Sequence, residues 1–337
     1  METDRVRAPN IRDVARLAGV SYQTVSRVLN ESPSIKDSTK QRVLDVIKEI
    51  GYRPNQAARA LVTSKSRTIG ILAQQTADYG PTTSITAIEQ AAREAGYRLS
   101  ITNISSGDYT AIKTGVDYLL SQSIEALVVI TPQVRVFEVL KEISISVPFV
   151  TLQSTNLGGV HSMSVDQVAG ARLATRHLIE LGHTEIMHIS GPQDWIEAEA
   201  RMTGFLDEIT TAELRARAPV VGDWSAHFGY RAGLELLRLR DFTAVFASND
   251  QMALGFMHAC RELGLSIPGD ISVVGFDDIP EAAHFFPPLT TVRQNFTEIA
   301  RRAILLLLAE LRGEAQLEQS QVTPELVVRQ STAAHRA

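Results

Sequence analysis

Apolar residues recur at helical spacing through the first fifty positions. Val14, Ala15 and Leu17 share one helical face, Gly19 breaks the period, and Val20 fills the gap before a second helix. Ser21 is placed to cap that helix, and Val25, Val28 and Leu29 face back inward. Tyr22, Gln23, Ser26 and Arg27 are left pointing outward, a helix-turn-helix with a polar recognition face whose partner is duplex DNA. Val43, Val46, Ile47 and Ile50 predict a third helix, capped by Ser38 or Thr39 and ended by Gly51. A three-helix headpiece over roughly residues 9–52 follows.

Pro54 and the alanines after it favour a further short helix, about two turns long, ending near Leu61 before polar Thr63–Ser66. A helix this short is unstable alone in water, so it forms only when something holds it. From Thr68 the period changes. Strand candidates at 69–73, 98–104, 126–131, 147–152, 186–190, 219–222, 243–247 and 271–277 alternate with helices at 82–95, 109–122, 167–182, 197–210, 226–239, 251–264 and 296–312. That alternation predicts parallel sheets in a doubly wound α/β architecture. The units are too many for one compact sheet, so two subdomains are expected, with a cleft between their strand ends.

Composition adds a polarity along the chain. The net charge of −5 combines a basic head, 12 Lys/Arg against 7 Asp/Glu in residues 1–65, with an acidic remainder of 21 against 31. Only the head is therefore expected to meet phosphates. The single cysteine, Cys260, excludes an internal disulfide framework and suits a reducing cytoplasm, where a DNA reader is nucleoid-associated. No signal peptide is visible, and the longest apolar run, Ala303–Ala309, is too short to span a bilayer.

Tyr22, Gln23 and Arg27 form the candidate base-reading set. Glutamine pairs bidentately with adenine, arginine with guanine, and tyrosine offers a ring and a hydroxyl. Ser21, Thr24, Ser26 and Asn30 suit phosphate contact or capping. In the body the candidates lie in loops at strand ends. Arg201 can donate paired hydrogen bonds to neighbouring hydroxyls, Asp277 can accept from two, Asn249 can do both, and Trp224 can cover the apolar face of a pyranose. These types suit a neutral polyhydroxylated ligand. For Asp277 a capping role at the following turn is the rival reading. The carboxylates at 277–278 and the scattered histidines form no triad, metal spacing or phosphate loop, and His258 and Cys260, two apart, lie on different helix faces. No enzyme activity, cofactor or metal is expected.

The segments Val20–Val28, Gly222–Ala226, Asn249–Gly255, Asp270–Asp278 and Pro287–Thr291 resemble the LacI/GalR family of transcription repressors, and the resemblance runs over essentially the whole chain. It implies a headpiece at 1–52 and a hinge helix and linker at 53–66. It implies a periplasmic-binding-protein-like core with an N-subdomain at 67–165 completed by about 294–320. The C-subdomain spans 166–293, completed by about 321–332, with a tail at 333–337. It implies that paired linker helices enter the minor groove, with Leu61 wedged between base pairs and Asn55, Ala57 or Ala58 nearby. It also places Arg201, Trp224, Asn249, Asp277, Gln294 and Phe296 in an inducer pocket, the last two on the return segment between subdomains. The function implied is repression of sugar-utilisation genes, with release from a palindromic operator by a sugar, a galactoside first. The alternative is another effector, a different sugar, nucleoside or purine, acting as co-repressor.

Departures from the member it most resembles fall in the first half of the pocket. Gln153 stands where that member has an aspartate and Val165 where it has a phenylalanine, while Pro81 is kept in an otherwise more polar loop. Only five residues follow Thr332, with no heptad seam, so a homodimer is expected rather than a tetramer. A free-standing sugar-transport protein has a similar body but lacks the equivalent of residues 11–62.

Overall fold

A computed structural model describes residues 9–29, 34–52, 65–74, 78–131, 133–152, 162–239, 241–314 and 321–335. It divides into two compact units, Met1–Ser66 and Arg67–Ala337.

The first unit is built on helices α1 (Ile11–Leu17), α2 (Tyr22–Leu29) and α3 (Asp37–Ile50). Asn10 closes a capping box at α1. Its side chain accepts from the Arg12 and Asp13 amides at 2.8 and 3.2 Å, and Asp13 accepts from the Asn10 amide at 2.9 Å. Ser21 caps α2 as expected, its Oγ accepting from the Thr24 amide at 3.1 Å. The expected cap of α3 is different. The helix starts at Asp37 after Lys36, which makes no side-chain cap, so Ser38 and Thr39 fall inside the first turn. Asp37 there places negative charge at the positive end of the helix dipole. Gly51, left-handed at φ 63°, ends the helix. Val14, Ala15, Ala18, Val25, Val28 and Val43 are buried, with Val20, Leu29, Val46, Ile47 and Ile50 packed around them. Leu17 departs from its expected inward role and is 53% exposed, because α1 ends beneath it and the turn carries the chain away.

The second unit holds two sheets. The first, ordered β2-β1-β3-β4-β5, is entirely parallel: β1 (Thr68–Gln74), β2 (Arg98–Ile104), β3 (Ala126–Ile130), β4 (Phe149–Leu152) and β5 (Ser162–Met163). Strand β1 is buried on both faces, and its period of two assigns them. Ile69, Ile71 and Ala73 pack on α4 (Tyr79–Glu94) and α11 (Phe296–Arg312). Leu72 packs on the other side with α5 (Tyr109–Ser121) and α6 (Val134–Glu142).

The second sheet is ordered β11-β10-β9-β8-β6-β7: β6 (Ile186–Ser190), β7 (Val220–Val221), β8 (Ala244–Ala247), β9 (Ser272–Asp277), β10 (Thr290–Arg293) and β11 (Glu325–Val327). Only the edge strand β11 runs antiparallel. Phe246, Val274 and Phe276 meet α7 (Gln167–Glu180) and α8 (Ile196–Thr211) on one face. Val245, Ala247 and Val273 meet the side of α10 (Asp250–Glu262), which packs on α9 (Ala226–Leu236). That helix pair is close because Gly255 has no side chain: a Cβ there would lie 1.8 Å from the Ala226 carbonyl oxygen. The chain enters the second sheet after β5, returns to the first with α11, and comes back with β11.

The expected strands and helices are present in outline, with shifted ends: β4 begins at Phe149 rather than residue 147, and α4 begins earlier, at Tyr79 rather than residue 82. The pattern missed β5, β10, β11, α6 and a 3₁₀ turn at Pro280–His284. The three strands are two to four residues long and carry too few positions to show a period.

Candidate functional site

At about 100° per residue, Tyr22, Gln23, Ser26 and Arg27 fall on one side of α2 and Val25, Val28 and Leu29 on the other. Tyr22 is 51% exposed, Gln23 and Arg27 are exposed and Ser26 is half-buried. The Ser21 and Thr24 hydroxyls lie 2.9 Å apart within the cap, so both help to start the helix that presents the other three. Asn30, Asn55, Ala57, Ala58 and Leu61 lie outside the described residues.

In the second unit a cleft of about 750 Å³, counting its mouth, opens where the strands of both sheets end. Asp78–Pro81 follow β1, Thr131 follows β3, Trp195 follows β6, and Trp224 follows β7. Asn249 follows β8, Asp277 ends β9, and Gln294 and Phe296 follow β10. Carboxyl ends of parallel strands are where open α/β sheets hold ligands, because the connecting loops diverge there.

Four buried side chains close a ring of hydrogen bonds on the cleft wall. Arg201 Nε donates to Gln167 Oε1 at 2.8 Å, Gln167 Nε2 to Gln294 Oε1 at 2.7 Å, and Gln294 Nε2 to Asp277 Oδ1 at 2.6 Å. Arg201 Nη2 lies 3.4 Å from the same Asp277 oxygen and completes the circuit. Nη1 donates to the Ser248 carbonyl, and the guanidinium carbon sits 3.9 Å from the Phe276 ring centre. Burial pushes the Asp277 carboxyl up to about 6, against the pull of Arg201 and Gln294 toward the ionised form. Asp277 has φ 106° and Asp278 φ 52°, conformations rarely adopted by non-glycine residues. Asp250 and two arginines hold that turn. Asp250 accepts from the Ile279 amide at 2.9 Å and from Thr291 Oγ1 at 2.6 Å, while Arg293 and Arg329 donate to Asp278 at 2.7 and 2.6 Å. Strain held this firmly at a strand end is the mark of an organised site.

Trp224 forms an aromatic wall with Trp195, their ring centres 5.4 Å apart at 59°. Gly191 permits it, since a Cβ there would come within 2.2 Å of the indole. Asn249 has two jobs in the scaffold: its Nδ2 donates to the Trp224 carbonyl at 2.9 Å and its Oδ1 accepts from the Met252 amide at 2.9 Å, capping α10. Across the cleft Phe296 meets Tyr79 edge to face at 6.0 Å, with Pro81 alongside.

Arg201, Trp224, Asn249, Asp277, Gln294, Phe296 and Pro81 therefore meet in one cleft, and Val165 lines it too. Gln153, directly after β4, lies outside the described residues. Sequence reasoning missed Gln167, Trp195, Glu197 and Thr131. Glu197 had a readable signal, since it sits one helical turn before Arg201 and so shares its face. Among the described residues no cluster of His, Cys, Asp or Glu could hold a metal ion, and no helix is long and apolar enough to cross a membrane.

Comparison with known proteins agrees with this geometry. Residues 10–55 match the family described as bacterial regulatory proteins, lacI family, and residues 175–332 match the periplasmic binding protein-like domain. The chain is 33% identical over 322 residues to the lactose operon repressor of Escherichia coli (strain K12), covering 95% of this chain and 89% of that protein. It is 32% identical over 328 residues to the transcriptional repressor PurR of Mannheimia succiniciproducens, covering 95% and 98%. A solved lac repressor dimer bound to operator and the anti-inducer ONPF superposes with a TM-score of 0.87 at 32% identity, covering 97% of this chain and all of that one. With a helix-turn-helix face in one unit and a ligand cleft in the other, the chain belongs to the LacI family of bacterial regulatory proteins: it is a DNA-binding transcriptional repressor governed by a small-molecule effector.

Proposed function

We propose that this repressor holds a palindromic operator as a homodimer and releases it when a neutral sugar, galactoside-like, enters the cleft. The observation that carries this reading is the ring Arg201–Gln167–Gln294–Asp277 beside the Trp224 wall. It offers donors and acceptors in balance next to a flat apolar surface, the combination that a pyranose satisfies with its hydroxyls and its C–H face. Tyr22, Gln23 and Arg27 read base edges, and Ser21, Thr24, Ser26 and Asn30 meet the backbone.

On this reading the lobes 67–165 with 294–320 and 166–293 with 321–332 shift against each other, and residues 53–66 form the hinge. Sugar acts by binding one arrangement of the lobes better than the other. Residues 53–62 gain helix from DNA and from the partner subunit, with Leu61 as the wedge. The test is binding of a palindromic operator while galactosides, other sugars and purines are titrated. Release by a sugar is expected, and tighter DNA binding with any ligand would overturn the inducer role. Leu61→Ala should weaken operator affinity on the order of 10-fold while leaving sugar affinity unchanged. Unaltered DNA bending and affinity would remove the wedge.

A further inference from the structure

Among the described residues, three buried polar atoms on the cleft wall have no hydrogen-bond partner: Thr131 Oγ1, Glu197 Oε2 and Trp224 Nε1. A native fold leaves few such atoms, because each costs about 1–3 kcal/mol. Their convergence in one cavity indicates that the partners arrive from outside.

Glu197 is the informative member. It projects from α8 one turn before Arg201, yet it forms no ion pair with it, because the guanidinium is already committed to Gln167, the Ser248 carbonyl and Asp277. The residue is only partly covered, but Oε2 is out of reach of solvent. We propose that Glu197 is a specificity-determining residue of the ligand site, accepting a hydrogen bond from one hydroxyl of a neutral sugar whose ring lies against Trp224. The proposal rests on the sugar reading above and adds which chemistry the cleft accepts and refuses. A hydroxyl facing Glu197 can donate to it and accept from Trp224 Nε1 or Thr131 Oγ1, satisfying two orphaned atoms at once. A carboxylate or phosphate at that place meets like charge. The wall carries one guanidinium, Arg201, against the carboxyls of Asp78, Glu197 and Asp277.

A pH signature follows. Burial pushes the Glu197 carboxyl up to about 7, opposed by a hydrogen bond from its own backbone amide and by the charge of Arg201 on the same helix, and reinforced by Asp277 from β9. Asp78 and Tyr79, at the start of α4, are the other titratable groups on the wall. A donating hydroxyl favours the ionised carboxylate, so sugar binding should tighten as pH rises through about 7.

The test titrates the full-length wild type, Glu197→Ala and Glu197→Gln calorimetrically with the methyl glycosides of galactose and glucose, their monodeoxy derivatives and the matching uronides, on either side of neutral pH. Glu197→Ala should bind the preferred glycoside roughly 10- to 100-fold more weakly. One deoxy derivative should be weakened by a similar factor in wild type but not in Glu197→Ala, and Glu197→Gln should lose the pH dependence near neutrality. Ligand-free Glu197→Gln should melt no lower than wild type, since it removes a charge from a carboxyl whose Oε2 is out of solvent and without a partner among the described residues. Equal losses for every deoxy derivative in wild type and Glu197→Ala overturn the proposal and leave the sugar reading standing. So does a uronide that binds as tightly as the glycoside, or a Glu197→Gln protein that melts several degrees lower. If no glycoside binds the wild type, both readings fall together.

Discussion

Arg201 illustrates how a single residue can be both scaffold and site. Its three nitrogens reach Gln167, Ser248 and Asp277, and its flat face rests on Phe276. Lysine lacks this fork, so Arg201→Lys is not conservative here. Arg201→Ala leaves the buried Asp277 without its counter-charge, and breaking such a pair costs about 3–5 kcal/mol of stability. On the sugar reading, losing the donor fork and the ring it closes should also weaken sugar binding on the order of 100-fold, while operator binding persists without sugar. A response at unchanged sugar concentration, read by calorimetry and operator release, would place the site elsewhere. Two carboxyls set a pH dependence of stability. Glu197 and Asp277 titrate near 7 and near 6 in the fold, above their ordinary values of 4.5 and 3.8. The folded state then holds protons that the unfolded chain has already lost, so these groups make stability fall as pH rises from about 4 to about 7. His188 acts oppositely. Burial between Phe205 and Phe246 pushes its imidazole down to about 4, so its contribution is lost as pH falls below about 6.5. Melting curves of Glu197→Gln should show a shallower fall in stability across the range above pH 4. An unchanged slope would show that the carboxyl is solvated.

On the proposed function, helix α2 presents the face that reads DNA, and its support is slight. Among the described residues of the headpiece no buried side chain is larger than valine. Val25, fully buried beneath the exposed Tyr22–Gln23–Arg27 face, is therefore a large part of what fixes that face. Val25→Ala should destabilise the headpiece by about 2 kcal/mol and weaken operator binding without altering sugar affinity. Operator affinity equal to wild type would mean that the three reading side chains need no rigid platform. The α9–α10 pair shows the opposite limit. Gly255→Ala would drive a methyl against the Ala226 carbonyl, with a cost of about 3 kcal/mol, the upper end for overpacking. Loss of that packing also moves Asn249 and the Trp224 loop it holds, so a lower melting temperature should be accompanied by weaker sugar binding. These elements were legible in the sequence to different degrees. The long helices and β1 announce themselves by period, whereas β10 and β11 are defined only by their neighbours in the sheet.

For the whole molecule, the second unit is a device for bringing distant loops together. The ring on the cleft wall joins Gln167 to Gln294, which are 127 positions apart, and joins Arg201 to Asp277. Its members come from α7, α8, the end of β9 and the segment after β10, all within the part that interleaves the two sheets. A ligand that engages both sides of the cleft binds only the folded body and should raise its melting temperature with concentration, by mass action. A tight-binding sugar that leaves the melting temperature unchanged would be bound elsewhere or by the unfolded chain as well.

The sequence by itself determined the helix-turn-helix face, the alternation of strand and helix, and the strand ends that carry Trp224 and Asp277; Arg201, expected in a loop, lies instead within α8. Those features are local. They follow from periods of 3.6 and 2 and from the residue types that end a strand or start a helix. Only the tertiary structure decided which of these loops face one another, that Asn249 is a cap and latch as well as a wall residue, and that Gln167, Trp195 and Thr131 belong to the site. It also decided that Glu197 Oε2 is out of reach of solvent and without a hydrogen-bond partner among the described residues. The physical reason is that burial and hydrogen-bond saturation depend on every chain segment that arrives at a place, and no single segment contains that information.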